Sequence, residues 1–126
     1  MNLKEPARLV LALFFLTAGL MHFLRPDGFV RIVPPYLPHP LLLVQLSGAA
    51  EIAGALGLLV PATRRWATWG LLALLVAVFP ANVYMLQTGG AGMPVPTWAL
   101  WLRLPLQLVL MAWVWWCGRE SIKKQL

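Results

Sequence analysis

The stretch that decides the fold is 40-PLLLVQLSGAAEIAGALGLLV-60. It carries a single ionisable residue, Glu51, and stops at Pro61. About 20 apolar residues in a helix span the hydrocarbon core of a bilayer, and this segment has that length. It is crowded with small residues: Ser47, Gly48, Ala49, Ala50, Ala53, Gly54, Ala55 and Gly57. In lipid, small side chains let backbones approach closely, because packing rather than water drives association. The segment therefore reads as a central transmembrane helix.

Three more spans appear on working outward. The first apolar run is Leu9 to Leu24, with Pro6 as the first helical residue, where no N–H partner is needed; the span is about 6–24. The third follows Arg64-Arg65 and covers 66–86, and the fourth follows Pro96-Thr97 and covers 98–117. Of 126 residues, 60% are hydrophobic and 11% charged, and mean hydropathy is +0.75. Soluble domains carry about 25% charged residues. The expected fold is all-α, an integral membrane four-helix bundle formed by 1–126 as one domain, with no independent soluble part. Lys4 and Arg8 ahead of an apolar run also resemble the start of a signal peptide. No small-x-small cleavage site follows, so the run is expected to remain as a span.

Aromatic and basic residues support these limits. All seven tryptophans lie near span ends, as an interfacial belt requires. Lys4, Arg8, Arg64, Arg65, Arg119, Lys123 and Lys124 fall on the side of the termini, against Arg25 and Arg31 on the other. By the positive-inside rule both termini are cytoplasmic, and a prokaryotic plasma (inner) membrane is the expected location. The outward loop 25–39 should begin with a short interfacial helix at Pro26-Asp27-Gly28, with Phe29, Val30, Ile32 and Val33 giving it an apolar side. The run Pro34-Pro35-Tyr36-Leu37-Pro38-His39-Pro40 is expected to be extended, since each proline restricts its predecessor.

Several chemistries are disfavoured. The single cysteine, Cys117, excludes an internal disulfide, a CxxC pair and a cysteine-built zinc site. His22 and His39 have no carboxylate–histidine spacing that supports a metal, so neither haem nor metal is expected. No nucleophile elbow, phosphate loop or nucleotide fingerprint is present, and no catalytic residue is assigned. The net charge of +6 flanks apolar spans instead of forming a basic domain, so nucleic acid is not an expected partner.

Ionisable groups within spans mark functional sites by default, since each costs roughly 2.5–3.5 kcal/mol at the helix centre on the translocon scale. Two stand out, Glu51 midway down the second span and Arg103 about a turn and a half into the fourth. Arg103 is long enough to make an ion pair with Glu51 plausible. His22, Ser47, Asn82 and Gln107 fall in the same outer half, so every span contributes polar groups there. Pro80 and Pro105 interrupt the third and fourth spans and free the carbonyls of Val76 and Trp101. Polar groups beside interrupted spans commonly mark binding sites; a self-satisfied structural network is the bland alternative.

At these residues the sequence resembles the DoxX-like family of small four-helix membrane proteins. The resemblance rests on Gly19-Leu20-Met21-His22-Phe23 with Pro26, Ile32-Val33-Pro34-Pro35-Tyr36-Leu37-Pro38, Ser47-Gly48, Glu51-Ile52-Ala53-Gly54, Phe79-Pro80-Ala81-Asn82 and Arg103-Leu104-Pro105-Leu106-Gln107. It implies the same four-helix fold. The family takes its name from a subunit of a thiosulfate:quinone oxidoreductase, which brings a quinone into view as ligand.

The expected function is binding of a lipophilic small molecule, with a quinone as one candidate, in a polar pocket in the outer half of the bundle. Glu51 and Arg103 would form its charged centre, with His22, Ser47, Asn82 and Gln107 around it. No catalytic activity of its own is expected. The alternatives are a membrane subunit of a quinone-linked oxidoreductase with a soluble or membrane redox partner, a proton-coupled transporter, and a membrane assembly factor. Besides the bilayer, self-association through the small residues of the second span is a further possible contact.

Overall fold

In the computed structural model, which describes residues 3–119, the chain forms five helices: α1 (Lys4–Leu24), α2 (Asp27–Arg31), α3 (Pro40–Leu59), α4 (Arg64–Gln87) and α5 (Thr97–Gly118). The described residues contain no strand. Four of the helices, α1, α3, α4 and α5, are long and apolar enough to cross a membrane. Their order around the bundle is α1, α3, α4, α5, which sets α3 and α5 on a diagonal. Both ends of the described chain lie at one end, the basal end, where Lys4 Nζ donates to the Arg119 carbonyl at 3.1 Å. The other end, with α2 and the 88–96 connection, is called distal here. Of the basic residues counted for orientation, Lys123 and Lys124 lie outside the described residues.

Each long helix begins and ends within two residues of its sequence limits. Pro6 sits in the first turn of α1 instead of at its first residue, a place equally free of cost because the first four N–H groups of a helix have no intrahelical partner. Pro80 and Pro105 lie inside continuous helices, so neither interrupts its span. The short interfacial helix forms as α2, with Pro26 at its N-cap. The proline-rich run after it departs from the extended course expected. Leu37 N–H donates to the Pro34 carbonyl at 3.0 Å, closing a turn, and His39 adopts a left-handed φ of 51° before Pro40. Pro35 follows Pro34, where its fixed φ suits the second position of a turn. Trp113 also departs from its expected place: six tryptophans are exposed, but Trp113 packs against the core.

The basal half is filled by a close-packed apolar core. Leu11, Ala12 and Phe15 of α1 meet Ala55 and Leu58 of α3, Leu71 and Leu75 of α4, and Val114 and Cys117 of α5. Arginines finish its floor. Arg8 Nε donates to the Cys117 carbonyl at 2.9 Å and Arg64 Nε to the Leu58 carbonyl at 2.8 Å, both buried. The last four carbonyls of a helix lack intrahelical donors, and cations near them are favoured by the helix dipole. Each arginine thus serves the C-terminal turn of a neighbouring helix.

The most extensive helix packing joins α1 to α3, where two glycines bring backbone against backbone. A Cβ on Gly19 would stand 2.7 Å from the Gly48 carbonyl oxygen, and one on Gly48 would stand 2.9 Å from the Gly19 carbonyl oxygen and 2.7 Å from His22 Cβ. Backbone, not a flexible side-chain end, occupies the space. Gly70 is the contrast, with nothing within 4 Å of an added Cβ. Gly48→Ala is therefore expected to destabilise the protein by about 1–3 kcal/mol, the usual cost of overpacking. Gly70→Ala should be neutral or stabilising by about 0.5–1 kcal/mol through helix propensity. Thermal unfolding of both variants in mild detergent checks this ordering.

Candidate ligand-binding site

The distal half is built differently from the basal half. There the four long helices form two joined pairs with a cavity of about 480 Å³ between them. The first pair is α1 with α3, locked at the glycine crossing. His22 follows Gly19 by three residues and Glu51 follows Gly48 by three, so the crossing brings the two side chains together. His22 Nδ1 lies 2.6 Å from the Ala18 carbonyl oxygen and 3.3 Å from Glu51 Oε2. A carbonyl oxygen only accepts, so Nδ1 carries the proton and donates to it. Glu51 Oε2 is buried and accepts no hydrogen bond. The other face of the imidazole is covered by Phe29 of α2, stacked with ring centroids 3.8 Å apart. Ser47 stands one turn before Glu51 on α3 and also lines the cavity.

The second pair is α4 with α5, held by a chain of hydrogen bonds. Arg103 donates to Asn82 Oδ1 through Nε at 3.3 Å and Nη2 at 3.0 Å. Asn82 Nδ2 donates to Gln107 Oε1 at 2.6 Å, and Gln107 Nε2 donates to the Leu75 carbonyl at 2.7 Å. Beside Pro80 the sequence marks the Val76 carbonyl as the free one, yet the neighbouring Leu75 carbonyl receives the side chain. Val76 is 59% exposed on the outer surface, whereas Leu75 is 6% exposed and faces Gln107.

All six polar residues named from the sequence, His22, Ser47, Glu51, Asn82, Arg103 and Gln107, line this one cavity, as does Pro80. Pro105 does not, and faces outward. The ion pair envisaged between Glu51 and Arg103 does not form: Glu51 lies against His22, and Arg103 is taken by Asn82. The cause is the diagonal placing of α3 and α5, with the cavity between. Apolar residues complete the walls, with Phe29, Ile32, Val33, Pro34 and Leu37 closing the distal end. One wall therefore carries the Glu51 carboxyl group, whose Oε2 is buried against His22 without a hydrogen bond. The other presents a guanidinium whose Nη1 makes no hydrogen bond among the described residues.

Compared with known proteins, residues 11–118 match a family described as a domain of unknown function, DUF8561. The chain belongs to the DUF8561 family. No curated protein and no solved structure matches it. The match covers every cavity-lining residue of this DUF8561 chain.

Some contacts of the DUF8561 site escaped the sequence. The stacking of Phe29 on His22 was hidden, although α2 was expected to carry an apolar side. The Leu75 carbonyl could not be singled out, because which carbonyl beside a proline meets a donor depends on the facing helix.

Since Glu51 and Arg103 share no partner, their substitution should behave independently in the ligand-free protein. In a double-mutant cycle, Glu51→Gln and Arg103→Gln are expected to add within about 0.5 kcal/mol. Asn82→Ala and Arg103→Gln, which remove two ends of one hydrogen bond, should couple by more than that. Unfolding free energies of the single and double variants check both cycles.

Proposed function

We propose that this is an integral membrane protein, with both termini cytoplasmic, that binds a lipophilic small molecule in the distal half of its bundle. The observation that carries the reading is a cavity of about 480 Å³ with Glu51 and Arg103 on opposite walls, where Glu51 Oε2 is buried against His22 and accepts no hydrogen bond. Leaving a buried acceptor unfilled costs about 1–3 kcal/mol. A self-satisfied structural network would have closed around it. Here the polar groups stand on two walls, and a ligand supplies the missing partners. Small-molecule sites are typically mostly apolar clefts of about 300–1,000 Å³ with a few placed polar groups, which describes this one.

The walls define the head group. Arg103 offers donors, so the ligand needs an acceptor there, such as a carbonyl. Glu51 offers an acceptor oxygen, so the ligand needs a hydroxyl or similar donor at that end. A quinone in its reduced or half-reduced form meets both needs on one flat ring, and the apolar lining suits its tail. The DoxX-like resemblance favours the same choice. Binding without transport is supported by the basal half, where Leu11, Phe15, Leu58, Leu71 and Val114 are fully or almost fully buried. A proton-coupled carrier would need a polar route through that core.

Two measurements test the reading. In nanodiscs, decylubiquinol should bind the unaltered protein and quench its tryptophan fluorescence saturably, while Arg103→Gln and Glu51→Gln should each weaken binding by about 1.5–3 kcal/mol, the worth of a hydrogen bond to a charged group. Equal affinity in both variants would remove the polar walls from the site. For orientation, Cys117 is first replaced by alanine. A cysteine at Pro94 should then be labelled from outside intact cells, and one at Ala62 only after permeabilisation.

A further inference from the structure

We propose that the cavity opens sideways, between α1 and α5, so that its ligand passes directly from the bilayer and leaves its apolar tail there. This rests on the binding reading above and adds the route and the physical state of the ligand. The four long helices are not fastened equally at all their seams. In the distal half, α1 is locked to α3 by the glycine crossing, and α4 to α5 by the Arg103–Asn82–Gln107 chain. Between α1 and α5, the described hydrogen bonds lie only at the basal end, from Lys4 to the Arg119 carbonyl and from Arg8 to the Cys117 carbonyl. Lys4 Nζ also stands 5.9 Å from the centre of the Trp116 ring, at the same end. The pair is clasped at its base and unfastened above it; the α3–α4 seam is likewise bonded only at its base, by Arg64 to the Leu58 carbonyl, so exposure decides between the two.

Exposure of the lining residues locates the opening. Phe14 on α1 and Leu106 on α5 both line the cavity, yet each is 51% exposed. Arg103, one turn from Leu106, is exposed too. On the α3–α4 side, the lining residues Val44, Ser47, Val78 and Ala81 are buried or half-buried, and Ala77 alone among those of α4 is exposed. The distal end is roofed by the apolar residues of α2 and the proline turn, with Phe29 fixed on His22 and Pro34 buried. A water-borne solute would have to part that roof. A molecule dissolved in the membrane meets an apolar slot framed by Phe14 and Leu106. Arg103 then stands within a turn of the slot, where it meets an acceptor on the incoming head first; the Glu51 wall takes the donor end last.

Labelling without any ligand tests the route, so its outcome is independent of whether a quinol binds. With Cys117→Ala as background, Leu110→Cys places a thiol inside the cavity, and Leu108→Cys places one on the outer face of the same helix, 65% exposed. Phosphatidylcholine proteoliposomes are treated with benzyl methanethiosulfonate, which partitions into lipid, or with its charged sulfonatoethyl counterpart, and modification is followed by intact mass. The benzyl reagent should modify Leu110→Cys at a rate comparable to Leu108→Cys, and the sulfonatoethyl reagent should modify neither appreciably. Adding Leu106→Trp should slow the benzyl reaction at Leu110→Cys several-fold, and adding Phe14→Ala should quicken it, with Leu108→Cys unchanged by either. The second variant reports even if the first fails to fold. Equal reaction with the sulfonatoethyl reagent would place the opening at the watery end. Slowing by Ala77→Trp in place of Leu106→Trp would place it between α3 and α4. Protection of Leu110→Cys from both reagents would mean a closed chamber. Each of these three results overturns the proposal.

Discussion

The backbone contact between α1 and α3 at Gly19 and Gly48 is the constraint on which the distal half depends. With no Cβ on either residue, the two helices approach until each glycine's carbonyl lies where the other's side chain would begin. In lipid no water is released by bringing two apolar helices together, so such close packing supplies much of the association. Residues one turn beyond each glycine are then forced into contact, and here they are His22 and Glu51. A larger residue at either glycine would separate the pair as well as the helices. Stability of the crossing and geometry of the acidic wall are one property.

The same chain treats its two ends by opposite means. At the basal end the polar groups are spent on backbone: Arg8, Arg64 and Thr68 all bond to carbonyl oxygens. This leaves the interior free for a purely apolar core. At the distal end the polar groups sit in the interior and bond to each other only within each helix pair. The space above the core lies between the two helix pairs. A cavity arises there because nothing polar crosses from one pair to the other.

Much of this was legible in the residues, and the limits of that legibility are physical. Hydropathy and span length fix the four helices because bilayer thickness sets their length, and the boundaries accordingly moved by two residues or fewer. Depth is equally readable, which is why the sequence groups His22, Ser47, Glu51, Asn82, Arg103 and Gln107, the six polar residues that line the cavity. Azimuth is not. Glu51 and Arg103 share a depth but sit on diagonal helices, and no feature of either span announces the order of helices around the bundle. The basal arginines show a second limit. Arg8 and Arg64 read as flanking charges that mark orientation, and their burial as carbonyl donors was missed. The signal was present, since each stands at the end of the bundle where a neighbouring helix finishes with unfilled carbonyls.

The separation of Glu51 from Arg103 bears on the proposed binding more than a pair would. Two opposite charges in contact within an apolar interior would largely satisfy each other, and a ligand would have to break them apart before binding. Breaking a buried pair costs about 3–5 kcal/mol, enough to erase most of the affinity of a small polar head. Held on opposite walls, each group is positioned by a neighbour that leaves part of it unused: His22 abuts one oxygen of Glu51 without hydrogen-bonding to it, and Asn82 takes only part of the Arg103 fork. Positioning of this kind lowers the cost of ordering the site on binding. Under the binding proposed above, a molecule that brings an acceptor for Arg103 and a donor for Glu51 would meet both walls without first separating them.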